Sequence, residues 1–583
     1  MKNLIHSLYL LFLFVLLSAS SKVDNNQNFL SFLENEWKFE LSQSPVYATA
    51  MGVKGFETEW RDYSLEAIQM RKSHLEDTLR SLESFSAKTL SETNQLNLRL
   101  FTQLTRNELE ISQYNRHLLP FSHRGGIQLA HEDSGVIPLK SFDDYYFWIQ
   151  RLRNLDKRIE QTIALAKLGL QKGYKPPKIL MERVNRQINL QSHSKVKDSP
   201  FYKVFIDLPE SISKEDQTSL RMEAKKVIKE TVIPSYLLLE KYFKEEYLLQ
   251  SRESVGLYDI PNGRELYEVL AKSFTTTDLS PKEIHQIGLK EVKRIRSEME
   301  VIIKQLKFEG SFNDFLKFLR EDERFYYKTP EELFEGYLAV SKRIDPELVK
   351  LFGILPRTPY GLRAIPIESA PDTTTAYYMP PAPGGLRPGY YYVNLYRPET
   401  RPKFEMEVLS VHEAVPGHHL QIALAMEMEE MPMFRRVSPY TAFVEGWGLY
   451  SESLGYDLGL YKDPYSKFGQ LTYDMWRAVR LVVDTGMHYY EWDRQKAIDF
   501  FLENAGKSEL DIINEIDRYI VMPGQALAYK IGQMKFLSLR EMAKNELGNK
   551  FNIRDFHDIV LSEGALPLNE LDSIIENYII ENK

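Results

Sequence analysis

The chain has 583 residues, with 74 lysines and arginines against 82 aspartates and glutamates and a net charge of −8. This length exceeds the size at which a single hydrophobic core usually divides. Charges of both signs are mixed along the chain, which excludes the basic surface of a nucleic-acid binder, so no nucleic-acid partner is expected. Cysteine is absent, which excludes disulfides, thiolate metal ligands and a cysteine nucleophile.

A short apolar segment lies at the start of the chain. One lysine precedes an apolar run from Leu8 to Leu17, and small residues follow it. This pattern predicts a secretory signal peptide over residues 1–20, with an uncleaved anchor as the alternative. No later segment is long and apolar enough to cross a bilayer, so no stable membrane insertion is expected after cleavage. Because no cysteine can carry a lipid, the sequence predicts a periplasmic or secreted protein that is not a lipoprotein.

Helical periodicity dominates residues 28–350 and returns after residue 400. The sequence therefore predicts a mainly α fold in which residues 21–583 form one helical domain with approximate lobes 28–275 and 276–583. One helix start is marked clearly: Ser280 can cap, Pro281 occupies the first helical position, and Glu283 completes a capping box.

The segment 355–400 differs from its surroundings because it is dense in Pro, Gly, Tyr and Thr. Its runs "AYYM" and "GYYYVNLY" predict short strands, and so a small β-sheet near residues 360–397. This sheet could cover the core as a hairpin, or it could offer a free edge to an extended peptide. Tyr392 and Asn394, in the second run, are candidate substrate-binding residues.

The segment "HEAVPGHH" resembles a zinc-peptidase motif that has been interrupted. His412 and Glu413 begin an H-E-x-x-H pattern, but Pro416 stands where the second histidine should fall. Such a site needs two imidazoles and a carboxylate on the metal, with a separate carboxylate as general base. On a regular helix, His419 would lie about 10 Å from His412 along the axis, and His418 would point about 120° away.

Proline and the glycine that follows it supply a reason for distortion. Pro416 removes a helical hydrogen bond, and Gly417 frees the backbone. A bulge of two residues there would bring His418 into the position of the second ligand. The sequence thus favours a metal site built on a broken helix.

A candidate third ligand occurs in "TAFVEGWGLYSESLG". Glu445 lies on the next helical segment after His418, and Glu452 lies two turns further on. Apolar neighbours indicate that Glu445 faces inward, where a carboxylate needs a partner such as a metal ion.

A later helix carries further polar candidates. Arg480, Asp484 and His488 lie on one face, so Asp484 could orient His488 to donate a proton to a substrate carbonyl or oxyanion. The alternative is a solvated ladder of salt bridges. Arg477, Arg480 and Lys530 could each bind the carboxylate at a substrate C-terminus, and the sequence does not choose among them.

Four segments carry a family resemblance: "HEAVPGHHLQ", "AFVEGWGLYSE", "DTGMHYYEW" and "MPGQALAYKIG". They resemble the bacterial family known as domain of unknown function 885, which is grouped with the gluzincin metallopeptidases. The segment "FVEGWGLYSE" is more distantly similar to the third-ligand segment of the thimet-oligopeptidase family. In that family a leucine lies two residues after the second histidine ligand, as Leu420 does after His418, which favours His418 over His419.

This resemblance, which extends to angiotensin-converting enzyme, implies a two-lobed gluzincin-like helical fold with a deep central channel. It also implies that Tyr529 steadies the oxyanion of a peptide-hydrolysis reaction, and a tyrosine packed in the core is the alternative.

The sequence predicts a zinc peptidase that cleaves short or unfolded peptides. One Zn²⁺ would be held by His412, His418 and Glu445. The alternative is a metal-free peptide-binding or scaffold protein on a decayed peptidase fold. A non-haem iron site with the same ligands is also chemically allowed, although a base beside a ligand suits hydrolysis better. The predicted catalytic residues are Glu413, Tyr529 and His488.

Overall fold

The structure is a computed structural model that describes residues 25–367, 370, 374–381, 387–437 and 440–583. The chain folds into two compact units. Unit 1 extends to Val255 and includes Asp259–Asn262 and Pro432–Phe434. Unit 2 comprises Gly256–Tyr258, Gly263–Met431 and Arg435–Lys583.

Unit 1 is built from helices α1 to α9. Its core includes a cluster in which Phe29 and Leu33 of the first helix pack with Leu82 and Leu90. The helices are α1 (25–43), α2 (Pro45–Ala50), α3 (Leu65–Glu83), α4 (Glu92–Ser112), α5 (Phe142–Arg153), α6 (Leu155–Gln171), α7 (Lys178–Ser192), α8 (Lys214–Val227) and α9 (Ile233–Tyr242).

Unit 2 contains the later helices, except that α16 begins within the part assigned to unit 1. They are α10 (Gly263–Thr275), α11 (Pro281–Gln305), α12 (Phe312–Glu321), α13 (Pro330–Ile344), α14 (Met406–Glu413), α15 (His418–Glu427), α16 (Met433–Val437), α17 (Thr441–Leu454), α18 (Pro464–His488), α19 (Arg494–Asn504), α20 (Glu509–Val521), α21 (Ala528–Leu547), α22 (Ile553–Leu561) and α23 (Leu568–Asn582).

Helix α18 lies at the centre of unit 2, because every residue from Phe468 to His488 is buried. A helix buried on all sides must be covered by other elements on all sides. Its neighbour α11 approaches closely at Gly288, where an added Cβ would lie 2.7 Å from the Cβ of Leu481. The predicted start of α11 is confirmed, since Ser280 and Glu283 form the capping box.

A three-stranded sheet precedes α14 in the chain. Its strands are β1 (Tyr360–Ala364), β2 (Ala376–Met379) and β3 (Gly389–Val393), in the order β1-β3-β2. The two predicted runs form the antiparallel pair β2 and β3, while β1 joins β3 in parallel.

The mainly α fold with a small sheet is therefore confirmed. The gluzincin relationship and the central channel stay predictions. The predicted signal peptide, residues 1–20, lies outside the described residues. Across the described ranges, no helix combines the length and the apolar character needed to cross a membrane.

Candidate metal centre

The helix that begins the motif breaks as the sequence predicts. Residues 414–417 separate α14 from α15. Pro416 has no N–H to donate, and Gly417 N donates instead to the carbonyl of Val411 at 2.9 Å. A Cβ on Gly417 would lie 1.9 Å from the carbonyl oxygen of His412. Only glycine fits so close an approach, and the chain re-enters a helix at His418.

A buried tryptophan holds the broken segment in place. The indole Nε1 of Trp447, on α17, donates to the carbonyl of Pro416 at 2.9 Å. The same ring packs edge-on against Phe536 and His557 in the core of unit 2. The break is thus attached to the core of the unit.

The three predicted metal ligands come together at this break. The Nε2 atom of His412 lies 3.7 Å from Oε2 of Glu445, and the Nε2 atom of His418 lies 3.4 Å from the same oxygen. One ligand atom from each residue can be chosen so that all three lie within 4.8 Å of one another. Both histidines are buried, and Glu445 is half-buried.

These separations suit a shared metal ion. Hydrogen bonds between nitrogen and oxygen fall at about 2.7–3.2 Å, which is shorter than both contacts to Glu445. Two ligands at about 2.0–2.1 Å from one tetrahedral zinc ion are separated by about 3.3–3.4 Å. Two imidazoles and one carboxylate are also the donor set of many catalytic zinc sites. The residues present therefore fit a divalent ion such as zinc.

Electrostatics at the cluster favour positive charge. Burial alone would lower the pKa of His412, but its contacts with Glu445 and Glu452 outweigh burial and raise the pKa to about 9. Burial would raise the pKa of Glu445, yet the two histidines hold it well below its usual value. An ionised carboxylate beside two imidazoles attracts a cation.

Glu452 orients His412, the first predicted ligand, and sequence reasoning missed this role. Its Oε1 lies 2.9 Å from Nδ1 of His412, and the side chain is fully buried. This bond leaves Nε2 of His412 directed at Glu445. Arg477 in turn lies 3.4 Å from Glu452. The signal was present in the sequence, because a spacing of seven puts Glu445 and Glu452 on nearly the same face of α17.

His419, the rival second ligand, is engaged elsewhere. Its Nε2 contacts the carbonyl oxygen of Thr358 at 3.1 Å, so this nitrogen is the donor. Its Nδ1 then accepts from the hydroxyl of Tyr378 at 2.8 Å. Burial lowers the pKa of His419 to about 4, so the ring is neutral. His418 is therefore the histidine that faces Glu445.

Glu413, the predicted general base, is half-buried next to His412. Its carboxylate has no hydrogen-bond partner among the described residues, so both oxygens are available to a water or a substrate.

The predicted role of His488 as an oxyanion donor is wrong. Leu257 N donates to its Nδ1 at 3.1 Å, so the ring proton is on Nε2, which donates to the carbonyl of Tyr519 at 3.0 Å. The ring is fully buried and has no second N–H. Asp484 Oδ1 accepts a hydrogen bond from the hydroxyl of Tyr267 at 2.6 Å and another from Gly524 N at 3.0 Å.

Lys530, a predicted substrate-binding residue, is also structural. Lys530 is 1% exposed, and its ammonium group contacts Asp474 at 2.6 Å, Gln533 at 2.8 Å and Glu291 at 3.1 Å. These three acceptors use all three of its protons.

Asn394 is likewise a structural residue. Its amide donates to the carbonyls of Ala370 and Thr374, and its oxygen accepts from Tyr396 N. Its neighbour on β3, Tyr392, is half-buried and stacks on Tyr377 with 4.9 Å between ring centroids.

The remaining candidates form a second cluster in unit 2. Arg480, on α18, stacks over the ring of Tyr529 with 4.3 Å between its guanidinium carbon and the ring centroid. Arg518 donates to the hydroxyl of Tyr529 at 3.2 Å. Arg480 also lies 3.0 Å from Glu515. The role of Tyr529 in steadying an oxyanion stays a prediction.

Fold and site together define a mainly helical protein with a two-histidine, one-glutamate cluster at a helix break. The chain belongs to the family described as bacterial protein of unknown function (DUF885), whose match extends over residues 45–575.

Two solved structures are similar to it. One is described as "the putative lipoprotein from Colwellia psychrerythraea": it is 30% identical, with a TM-score of 0.89, over 96% of this chain and 100% of that chain. The other is described as "a putative lipoprotein of unknown function from Shewanella oneidensis": it is 18% identical, with a TM-score of 0.71, over 95% of this chain and 99% of that chain. The second shows the fold alone. No curated protein matches the chain.

The first of these descriptions overturns the predicted localisation. The protein that is 30% identical to this chain is described as a putative lipoprotein, which contradicts the expectation of a periplasmic or secreted protein without a lipid. That expectation depended on the absence of cysteine from the chain.

Proposed function

We propose that this protein is a zinc-dependent peptidase that hydrolyses peptide bonds in short or unfolded peptides. His412, His418 and Glu445 hold the ion, and Glu413 is the general base. One observation carries the proposal: Oε2 of Glu445 lies 3.7 Å from Nε2 of His412 and 3.4 Å from Nε2 of His418. Both distances are too long for hydrogen bonds and suit ligands that share one ion.

The residues around the cluster have distinct tasks in this reaction. A divalent ion held there would supply Lewis-acid activation of water and of the scissile carbonyl. Glu413 takes a proton from the attacking water and returns it to the nitrogen of the leaving amine. Glu452 holds the imidazole of His412 through Nδ1, so that Nε2 keeps its direction.

The first prediction concerns the general base. Glu413→Gln keeps a side chain of the same shape that cannot accept the proton, so peptide turnover should fall by about 10²- to 10⁴-fold while metal content stays the same. Turnover is measured by mass spectrometry on a mixed peptide library, and metal content by elemental analysis of protein purified without added zinc.

Two variants serve as controls. His412→Ala should lose the metal, and Glu576→Gln, at an exposed position of α23, should behave as the native protein does. Unchanged turnover in Glu413→Gln would reject the mechanism. A protein that binds peptides, contains no metal and leaves them intact would instead support the metal-free alternative.

A further inference from the structure

The cluster around Tyr529 carries an unbalanced positive charge. Arg480 and Arg518 share a single carboxylate, that of Glu515, at 3.0 and 3.4 Å. Burial would raise the pKa of Glu515, but the two arginines lower it to about 2, so it is ionised. Two guanidinium groups therefore face one negative charge. Buried charges in proteins are normally paired, so the excess positive charge of this cluster favours one more anion.

Asp484 supplies that second negative charge only in part. It lies one turn after Arg480 on α18, but its Oδ1 accepts from Tyr267 and Gly524. Burial raises the pKa of Asp484 to about 7, despite the two arginines, so it is partly protonated at neutral pH.

Two hydrogen-bond donors beside the excess charge are unused. Arg480 donates through Nε to Tyr519 at 2.7 Å and through Nη2 to Glu515, but its buried Nη1 has no partner in the described part of the chain. The phenol oxygen of Tyr529 accepts from Arg518 at 3.2 Å. The Tyr529 O–H is then left to donate, and no acceptor for it occurs among the described residues.

This donor pair is connected to the metal cluster through side chains of unit 2. Arg477 lies one turn before Arg480, and the two guanidinium groups lie 5.2 and 5.1 Å from the ring of Trp476. Arg477 contacts Glu452 at 3.4 Å, and Glu452 contacts His412 at 2.9 Å.

We propose that Arg480, Arg518 and Tyr529 bind the carboxylate at the C-terminus of a short peptide substrate. This inference rests on the proposed peptidase function and makes the enzyme an exopeptidase that acts near the carboxyl end. Planar guanidinium groups match a carboxylate in charge and geometry. Lys530 is occupied by three acceptors, and Arg477 pairs with Glu452, the carboxylate that holds His412. Tyr529 then serves recognition in place of its predicted role at the oxyanion.

The test compares two probes that differ only at the C-terminus. N-acetyl-trialanine with a free carboxylate and its C-terminal amide are titrated by calorimetry into zinc-loaded Glu413→Gln, which binds without cleaving. The free acid should bind about ten- to hundredfold more tightly than the amide, as charge-assisted hydrogen bonds imply. Adding Arg480→Gln or Tyr529→Phe should reduce this preference, while Arg153→Gln, at an exposed position of unit 1, should preserve it.

Each other outcome overturns the inference. Equal binding of acid and amide removes the anion site, and so does a failure of both to bind. A preference that survives Arg480→Gln and Tyr529→Phe places the site elsewhere. If Arg480→Gln does not fold, Tyr529→Phe and the acid-to-amide comparison still decide. The proposed function fails separately, if no peptide in the library is cleaved by the zinc-loaded native protein.

Discussion

At the scale of single residues, His412, His418 and Glu445 converge, because one oxygen of Glu445 lies 3.7 and 3.4 Å from the two imidazoles. Spacing and the Pro-Gly break were enough to choose His412, His418 and Glu445, because ligands must converge and few geometries allow it. His488 and Lys530 were misjudged. Whether a polar side chain is available depends on which main-chain and side-chain groups reach it in three dimensions, and periodicity does not encode those partners.

The bond between Glu452 and His412 leads to the second prediction. Glu452→Gln keeps an acceptor for Nδ1 of His412 but removes the charge, so zinc affinity should fall by about ten- to hundredfold. Affinity is measured by competition with a coloured chelator, with Glu576→Gln as the matched control. Unchanged affinity would show that the buried carboxylate serves packing and not the metal.

At the scale of elements, local chemistry predicted boundaries well where the residues leave few choices. The capping box of α11 and the strands β2 and β3 appear where the sequence places them. The pairing of β1 with β3 was not foreseen, because it joins residues far apart in the chain, such as Tyr360 and Gly389. Long-range pairing is decided by packing, which a single run of residues does not reveal.

The third prediction concerns the turn between α14 and α15. Gly417→Ala would place a methyl group 1.9 Å from the carbonyl oxygen of His412, so the backbone must shift and carry the second ligand with it. We expect reduced zinc affinity and a loss of about 1–3 kcal/mol in the free energy of unfolding. Both are measured by chelator competition and by chemical denaturation.

Gly125→Ala is the control for that substitution, since an added Cβ at Gly125 meets no atom within 4 Å. If Gly417→Ala binds zinc as tightly as the native chain, the close approach at the turn is not what directs His418.

At the scale of the whole molecule, the metal cluster and the proposed carboxylate site both belong to unit 2. The predicted lobes meet at residues 275 and 276, at the end of α10, whereas all of α10 belongs to unit 2. A helix joins a unit through its tertiary packing, so its amphipathic pattern alone does not tell to which unit it belongs.

The fourth prediction follows from this division. An ion shared by α14, α15 and α17 links three helices of unit 2, so removing it with a chelator should raise amide hydrogen exchange in those helices. Peptides from unit 1 should exchange at the same rate with and without metal. The comparison is made by mass spectrometry on the full chain.

His412→Ala is the control, because a protein that holds no ion should not respond to the chelator. Exchange that rises equally in both units would mean that the metal stabilises the molecule through another site.

The helices α17 and α21 meet where neither has a side chain. A Cβ on Gly446 would lie 2.5 Å from the Cα of Gly532, and a Cβ on Gly532 would lie 2.0 Å from the carbonyl oxygen of Ala442. The backbone that bears Glu445 is thus pressed directly against the backbone that bears Tyr529. In the proposed exopeptidase, this contact between two rigid helices would fix the distance between the cleaved bond and the C-terminal carboxylate of the substrate.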